Sequence, residues 1–437
     1  MKRSLSCGVI ALAFLLSACA PSPVIEPLDA PYHAMRPIGA LPLKPIPLAA
    51  NSNGIGYSGG PVMSNGINVY FIWYGNWSNN PATNILSDWA ANIGGSPYFN
   101  INTTYVDGAG NPVKNSVNYR SATTDSYSQG SSLGGNAIYN IVYRALSGGH
   151  LPLDGNAVYF VLTSADVSLD GFCSNFCGWH TYATISGTVV KYAFIGNPQR
   201  CGGSCGGLGA SPNGNAAADD MASIMTHELE ESATDPQLNA WGDANGENGD
   251  KCAWNFGPEY KTANGASANM RLGNRDYLIQ QNWVNSGGGY CAQRYTSTRH
   301  FNLVNRHSGK LLAVASGATF DGADIIQWTA DGTPSQSWQL VADGSYFLIV
   351  NTGSGKTLDV PASSTTAGTQ LDSWSVNHGA NQHWQFKSAG DYYTLVGAGN
   401  GMLADDEYAS TSDGSAIIQW PANGGDNQQW QLKAVSP

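Results

Sequence analysis

An α+β domain followed by an all-β barrel of three lobes is the fold class this sequence predicts, from three observations. The triplets Gln336-Ser337-Trp338, Gln382-His383-Trp384 and Gln428-Gln429-Trp430 close three copies of one pattern, with the tryptophans 46 residues apart each time. Self-similarity at a fixed period of that size marks a stacked or rotationally repeated architecture. Ahead of the repeats, β-branched and aromatic runs alternate with helical segments, the signature of mixed structure. Eight prolines between Pro21 and Pro47 separate this region from an apolar N-terminal run.

Taken in chain order, residues 1–19 read as an export signal. Lys2 and Arg3 precede an apolar run from Val9 to Leu16, and Leu16-Ser17-Ala18-Cys19 follows. That ending resembles the bacterial lipoprotein signal, which implies lipidation of Cys19 and an exported chain, anchored in the cell envelope, such as the outer membrane, or extracellular. Ordinary cleavage nearby is the alternative. Residues 20–51 suit an extended, semi-rigid spacer. No later segment approaches the roughly 18 apolar residues of a membrane helix, so the lipid anchor is the expected membrane contact.

Residues 52–297 form the expected central domain. Strands are expected at Ile67–Tyr74, Ala157–Leu162 and Val189–Ile195, and helices at about 81–93, 134–147 and 216–233. Residues 298–437 hold the repeats, whose short apolar runs, such as Tyr346–Val350 and Tyr392–Val396, are split by Gly, Asn, Asp and Ser and read as strands and turns.

Composition narrows the partners. A net charge of −11 with only 12% charged residues argues against nucleic acid, which is bound by neutralising phosphates with Lys and Arg. Beyond the signal, Cys173, Cys177, Cys201, Cys205, Cys252 and Cys291 are even in number, as expected of three disulfides in an exported protein. The simplest pairs are Cys173 with Cys177, Cys201 with Cys205 and Cys252 with Cys291, although six cysteines allow 15 connectivities. Zinc held by the two C-x3-C pairs is the less favoured reading.

The most pointed segment is the helix expected at 216–233. At about 100° per residue, Met221, Ile224, Met225 and Leu229 share one arc and Glu228 projects into it. A lone carboxylate on a buried stripe is costly unless paired, neutralised or bound to a cation. His227 and Glu231 stand one turn apart beside it, the spacing of the HExxH metallopeptidase motif with glutamate in place of the second histidine. The expected site is a divalent metal, zinc or calcium, on His227, Glu231 and Glu247 or Asp250, with Glu228 as general base if the protein is a hydrolase. Asp243 and Asn245 offer further oxygen ligands, and His180 is a weaker candidate. The bland alternative turns Glu230 and Glu231 to solvent and pairs Glu228 with Arg271 or Arg275.

Two resemblances follow from these residues. Gly60-Pro61-Val62-Met63, Asn68–Gly75, Gly171-Phe172-Cys173, Cys177–Thr181, Tyr192–Asn197, Pro212-Asn213-Gly214 and His227-Glu228 with Asn239-Ala240-Trp241 resemble, in order, the phosphate-induced (Exordium) family of secreted proteins. The resemblance implies location and fold and names no reaction; the metallopeptidase-like spacing of His227 and Glu231 makes a zincin-like arrangement one option for the α+β domain. The three Q-x-W repeats resemble ricin-B-type lectins, which implies a β-trefoil with sugar sites in its lobes.

A sugar site needs a carboxylate, an aromatic face and a polar pair. The lectin pattern falls on Asp359, Trp374, Asn381 and Gln382 in lobe two, and on Asp405, Trp420, Asn427 and Gln428 in lobe three. Lobe one has Ala313, Trp328, Ser335 and Gln336 there and is expected to be silent. The sequence therefore points to a surface protein that binds polysaccharide or glycoprotein glycans. The alternative is a metal-dependent hydrolase delivered to glycans by the trefoil.

Overall fold

The computed structural model describes residues 33–38, 55–206, 209–244 and 246–435; Asn245, the expected signal with Cys19, and the expected spacer other than 33–38 lie outside them. Six strands make the central sheet: β1 (His33–Met35), β2 (Ile67–Tyr74), β3 (Val117–Asp125), β4 (Ala157–Thr163), β5 (Gly178–Ile185) and β6 (Thr188–Ile195). Their order is β1-β5-β6-β4-β2-β3, with β3, β2, β4 and β6 parallel and β5 antiparallel to both of its neighbours. Parallel pairing needs crossovers, supplied by α1 (Ala82–Asn92) between β2 and β3 and α2 (Ala137–Ser147) between β3 and β4. The continuous apolar runs of β2 and β4 follow from burial on both faces. A two-residue turn joins β5 to β6, with Ser186 and Gly187 both at positive φ, the geometry that matches hairpin twist.

The third helix, α3 (Ala216–Thr234), starts at Asn215, whose side chain accepts from the Ala218 amide at 3.1 Å. Every residue from Ala218 to Thr234 is buried, so Glu230 and Glu231 do not face solvent. Arg271 pairs with Asp276 and Arg275 lies beside Asp88, so neither serves Glu228. Trp89 of α1 ties the two helices by donating from Nε1 to Thr226 Oγ1 at 2.9 Å.

Part of the expected spacer is a packed element. Strand β1 completes the sheet edge against β5, Met35 is fully buried, and Trp254 Nε1 donates to the Arg36 carbonyl at 2.7 Å. An apolar side chain that fits the edge outweighs the extended bias of its proline-rich neighbours.

Four strands per lobe close the C-terminal barrel, in which His300–Asn305 pairs with Gln429–Ala434. Trp338, Trp384 and Trp430 are fully buried and donate from Nε1 to the carbonyls of Leu312, Leu358 and Ala404 at 3.0, 3.0 and 3.1 Å. The three repeats therefore build one threefold core. Among the described residues, no helix is long and apolar enough to cross a membrane.

Candidate functional site

Two sets of side chains carry chemistry. The first lies where α3 passes beneath β5. The i, i+4 spacing brings His227 Nε2 to 3.0 Å from Glu231 Oε1, and the short helix at Asp250–Cys252 adds Asp250 Oδ1 at 3.6 Å from the same nitrogen. Strand β5 contributes His180. Its Nδ1 stands 3.3 Å from Glu228 Oε2 and 3.4 Å from Glu231 Oε2, and its Nε2 stands 3.5 Å from Glu247 Oε2. Two trios capable of holding a metal ion result, His180–Glu231–Glu247 and His227–Glu231–Asp250. His180, a secondary candidate in the sequence, is thus central, while Asp243 is taken up by Lys251.

Gly249 lets the chain approach this closely: a Cβ there would lie 3.0 Å from Glu231 Oε1 and 3.1 Å from the His227 ring. The Asp250 amide donates to Glu231 Oε1 at 3.0 Å, and Gln280 Nε2 approaches His227 Nδ1 at 3.0 Å.

Charge in this sealed space is redistributed. Burial disfavours a charged ring, yet Glu228 and Glu231 push His180 up to about 9, and Glu231 foremost pushes His227 up to about 10. The Glu231 carboxyl, which burial alone would raise, is held well below its ordinary value by the two imidazoles. Burial and the Glu231 charge raise Glu247 strongly and push Asp250 up to about 8. Glu228 is raised by burial; its Oε1 accepts from the Met35 amide at 3.3 Å and its Oε2 faces His180. It is fully buried.

The second set is in the trefoil. In lobe two, Asp359 Oδ1 accepts from Asn381 Nδ2 at 2.6 Å and from Gln382 Nε2 at 2.9 Å. In lobe three, Asp405 accepts from Asn427 Nδ2 at 2.8 Å on one oxygen and from Gln428 Nε2 at 2.7 Å on the other. Burial pushes Asp359 up to about 6 and raises Asp405. The glutamines also hold the loop: Gln336, Gln382 and Gln428 each accept from a backbone amide and donate to a carbonyl in their own lobe. Lobe one keeps that frame without the carboxylate.

Trp328, Trp374 and Trp420 are equally exposed, at 41, 42 and 41%, so the aromatic face alone does not distinguish the lobes. Tyr408, which the sequence comparison of lobes passed over, lines a cleft of about 350 Å³ with Asp405, Trp420, Asn423 and Asn427. It is 92% exposed and sits at the left-handed position that Ser316 and Ala362 occupy in the other lobes. A larger cleft, about 500 Å³, lies over Ala313, Trp328 and Ser335 in lobe one.

The expected disulfide pairing is corrected. Cys173 bonds Cys201 and Cys177 bonds Cys205, while Cys252–Cys291 is as expected. Gly202 and Gly203 do turn at positive φ. The two C-x3-C loops nevertheless lie side by side, with Cα separations of 4.9 and 5.3 Å, so each cysteine meets its counterpart in the other loop.

The closed threefold barrel defines the class of its C-terminal part, a ricin-type β-trefoil lectin domain, and residues 279–374 and 380–437 match that domain. The α+β part matches the phosphate-induced protein 1 conserved region over residues 55–283, and the chain belongs to that family. Its similarity to EXORDIUM-like 5 of Arabidopsis thaliana is 32% identity over 270 residues, spanning 52% of this chain and 74% of that protein. PHOSPHATE-INDUCED 1 of Nicotiana tabacum is 26% identical over 214 residues, 42% of this chain and 66% of its own length. Among solved structures, the designed 3-fold symmetric protein ThreeFoil is 43% identical over 31% of this chain and 99% of its own, with a TM-score of 0.31.

Proposed function

We propose that this protein binds glycans through lobes two and three of its trefoil, lobe three being the stronger site, and that the α+β domain is the module the lectin domain brings to a glycan surface. The observation that carries the reading is Asp405, held by two amide donors in the cleft that it lines with Trp420 and Tyr408. A fixed carboxylate accepts hydroxyl hydrogen bonds while an aromatic ring covers the apolar face of a sugar. Lobe two has the same carboxylate and tryptophan, with Ala362 in place of the tyrosine.

Calorimetric titration with galactose-, xylose- and glucose-containing glycans tests this. Asp405→Ala is expected to remove the tighter of two binding events and leave the weaker. Unchanged binding in that variant would contradict the assignment of lobe three. The hydrolase alternative has the histidine–carboxylate cluster in its favour and the burial of Glu228 against it.

A further inference from the structure

We propose that the α+β domain holds a divalent transition-metal cation in a closed, structural site centred on Glu231, with His227 and Asp250 on one side and His180 and Glu247 on the other. Four carboxylates, Glu228, Glu231, Glu247 and Asp250, meet two imidazoles here, and two imidazoles carry at most two positive charges. A buried carboxylate beyond that number is either protonated or bound to a cation, and a divalent cation is the alternative that this donor set offers.

A second observation points to a ligand. His227 Nε2 and Glu231 Oε2 are sealed from water and face only members of this cluster: the nitrogen lies 3.0 Å from Glu231 Oε1 and 3.6 Å from Asp250 Oδ1, and the oxygen lies 3.4 Å from His180 Nδ1. The spacings suit coordination. Bonds of about 2.0–2.2 Å in a tetrahedral shell set neighbouring donors roughly 3.3–3.6 Å apart. The 3.6 Å between His227 Nε2 and Asp250 Oδ1 and the 3.5 Å between His180 Nε2 and Glu247 Oε2 fall in that range, and the 3.0 Å between His227 Nε2 and Glu231 Oε1 lies just below it.

The surrounding groups fit the role of ligand supports. With His180 Nε2 on the metal, Nδ1–H faces Glu228, whose other oxygen is fixed by the Met35 amide; this is the carboxylate–histidine–metal relay that orients a ligand. Gln280 stands at His227 Nδ1, and its amide oxygen is buried without a partner, so an amide turned to present that oxygen would accept Nδ1–H. Glu228 is then a positioning residue.

Two imidazoles favour zinc over calcium, which takes oxygen ligands, and the carboxylates beside them also admit manganese. Catalytic sites keep an open coordination position, whereas His180, His227, Glu231 and Glu247 are all fully buried. The cation would staple β5, α3 and the 246–250 segment together.

Elemental analysis and thermal unfolding of the full chain test this. The purified protein is expected to carry near-stoichiometric zinc or manganese. Chelation should lower Tm by about 10 °C for a tightly bound ion, and Zn²⁺ or Mn²⁺ should restore it. Glu231→Gln should abolish metal content, while Glu228→Gln should keep the metal with affinity weakened about 10–100-fold. If either variant fails to fold, the wild-type chelation and add-back experiment still decides. A folded, metal-free wild type whose Tm responds to neither chelator nor added Zn²⁺ or Mn²⁺ would overturn the proposal, as would a rise with Ca²⁺ alone.

Discussion

Asp406 occupies a position that the other lobes give to Val314 and Val360, and all three side chains are buried. Neither carboxylate oxygen of Asp406 has a hydrogen-bond partner, and burial with the Asp405 charge pushes its carboxyl up to about 7. Asp406→Val should therefore stabilise the protein by about 1–3 kcal/mol at neutral pH, the cost of an unsatisfied buried polar group. The sign of the pH effect follows by linkage. Between the ordinary value of 3.8 and about 7 the unfolded chain has released a proton that the folded chain keeps, so stability falls as pH rises through that window and is level above it. Thermal unfolding from pH 4 to 8 should show a shallower decline in Asp406→Val; equal slopes would refute the account. Tyr408, almost wholly exposed, should act only on binding: Tyr408→Ala should weaken the lobe-three affinity with Tm unchanged. A lowered Tm with intact affinity would make it structural.

At the scale of elements, much was legible. The expected helix at 81–93 exceeds α1 by a residue at each end, and the one at 216–233 shares its start with α3 and stops a residue short, because Asn215 caps and Pro236 stops the latter. The i, i+4 pair His227 and Glu231 was legible for the same reason, since helical spacing alone brings them together. His180 was less so: it reaches the cluster through the register of β5 on β6 and β1, which local sequence does not encode. The disulfides were hidden likewise, because the two C-x3-C loops lie side by side only after the β5–β6 hairpin forms. Non-reducing peptide mapping should find Cys173–Cys201 and Cys177–Cys205; peptides joined within either loop would refute that pairing. Gly249→Ala should lower Tm, since its Cβ must enter the space of Glu231 and His227, both fully buried; an unchanged Tm would mean that the 246–250 segment yields freely.

At the scale of the molecule, the barrel docks on the α+β domain through specific contacts. Tyr393 donates to the Asn115 carbonyl at 2.8 Å, Ser116 and Ser388 hydroxyls meet at 2.6 Å, and a Cβ at Gly95 would lie 1.9 Å from the Phe386 carbonyl oxygen. The Q-x-W period made the three lobes legible, yet nothing periodic marks this interface, which depends on isolated residues of both units. The clefts over lobes one and three share no lining residue with the cleft at this interface. Glycan binding by lobes two and three is the central claim, and the most direct measurement is calorimetric titration of Asp359→Ala/Asp405→Ala against Trp328→Ala with one glycan that the wild type binds. The double variant is expected to lose binding while remaining folded, and Trp328→Ala to bind as the wild type does; full binding by the folded double variant would overturn the assignment of both lobes.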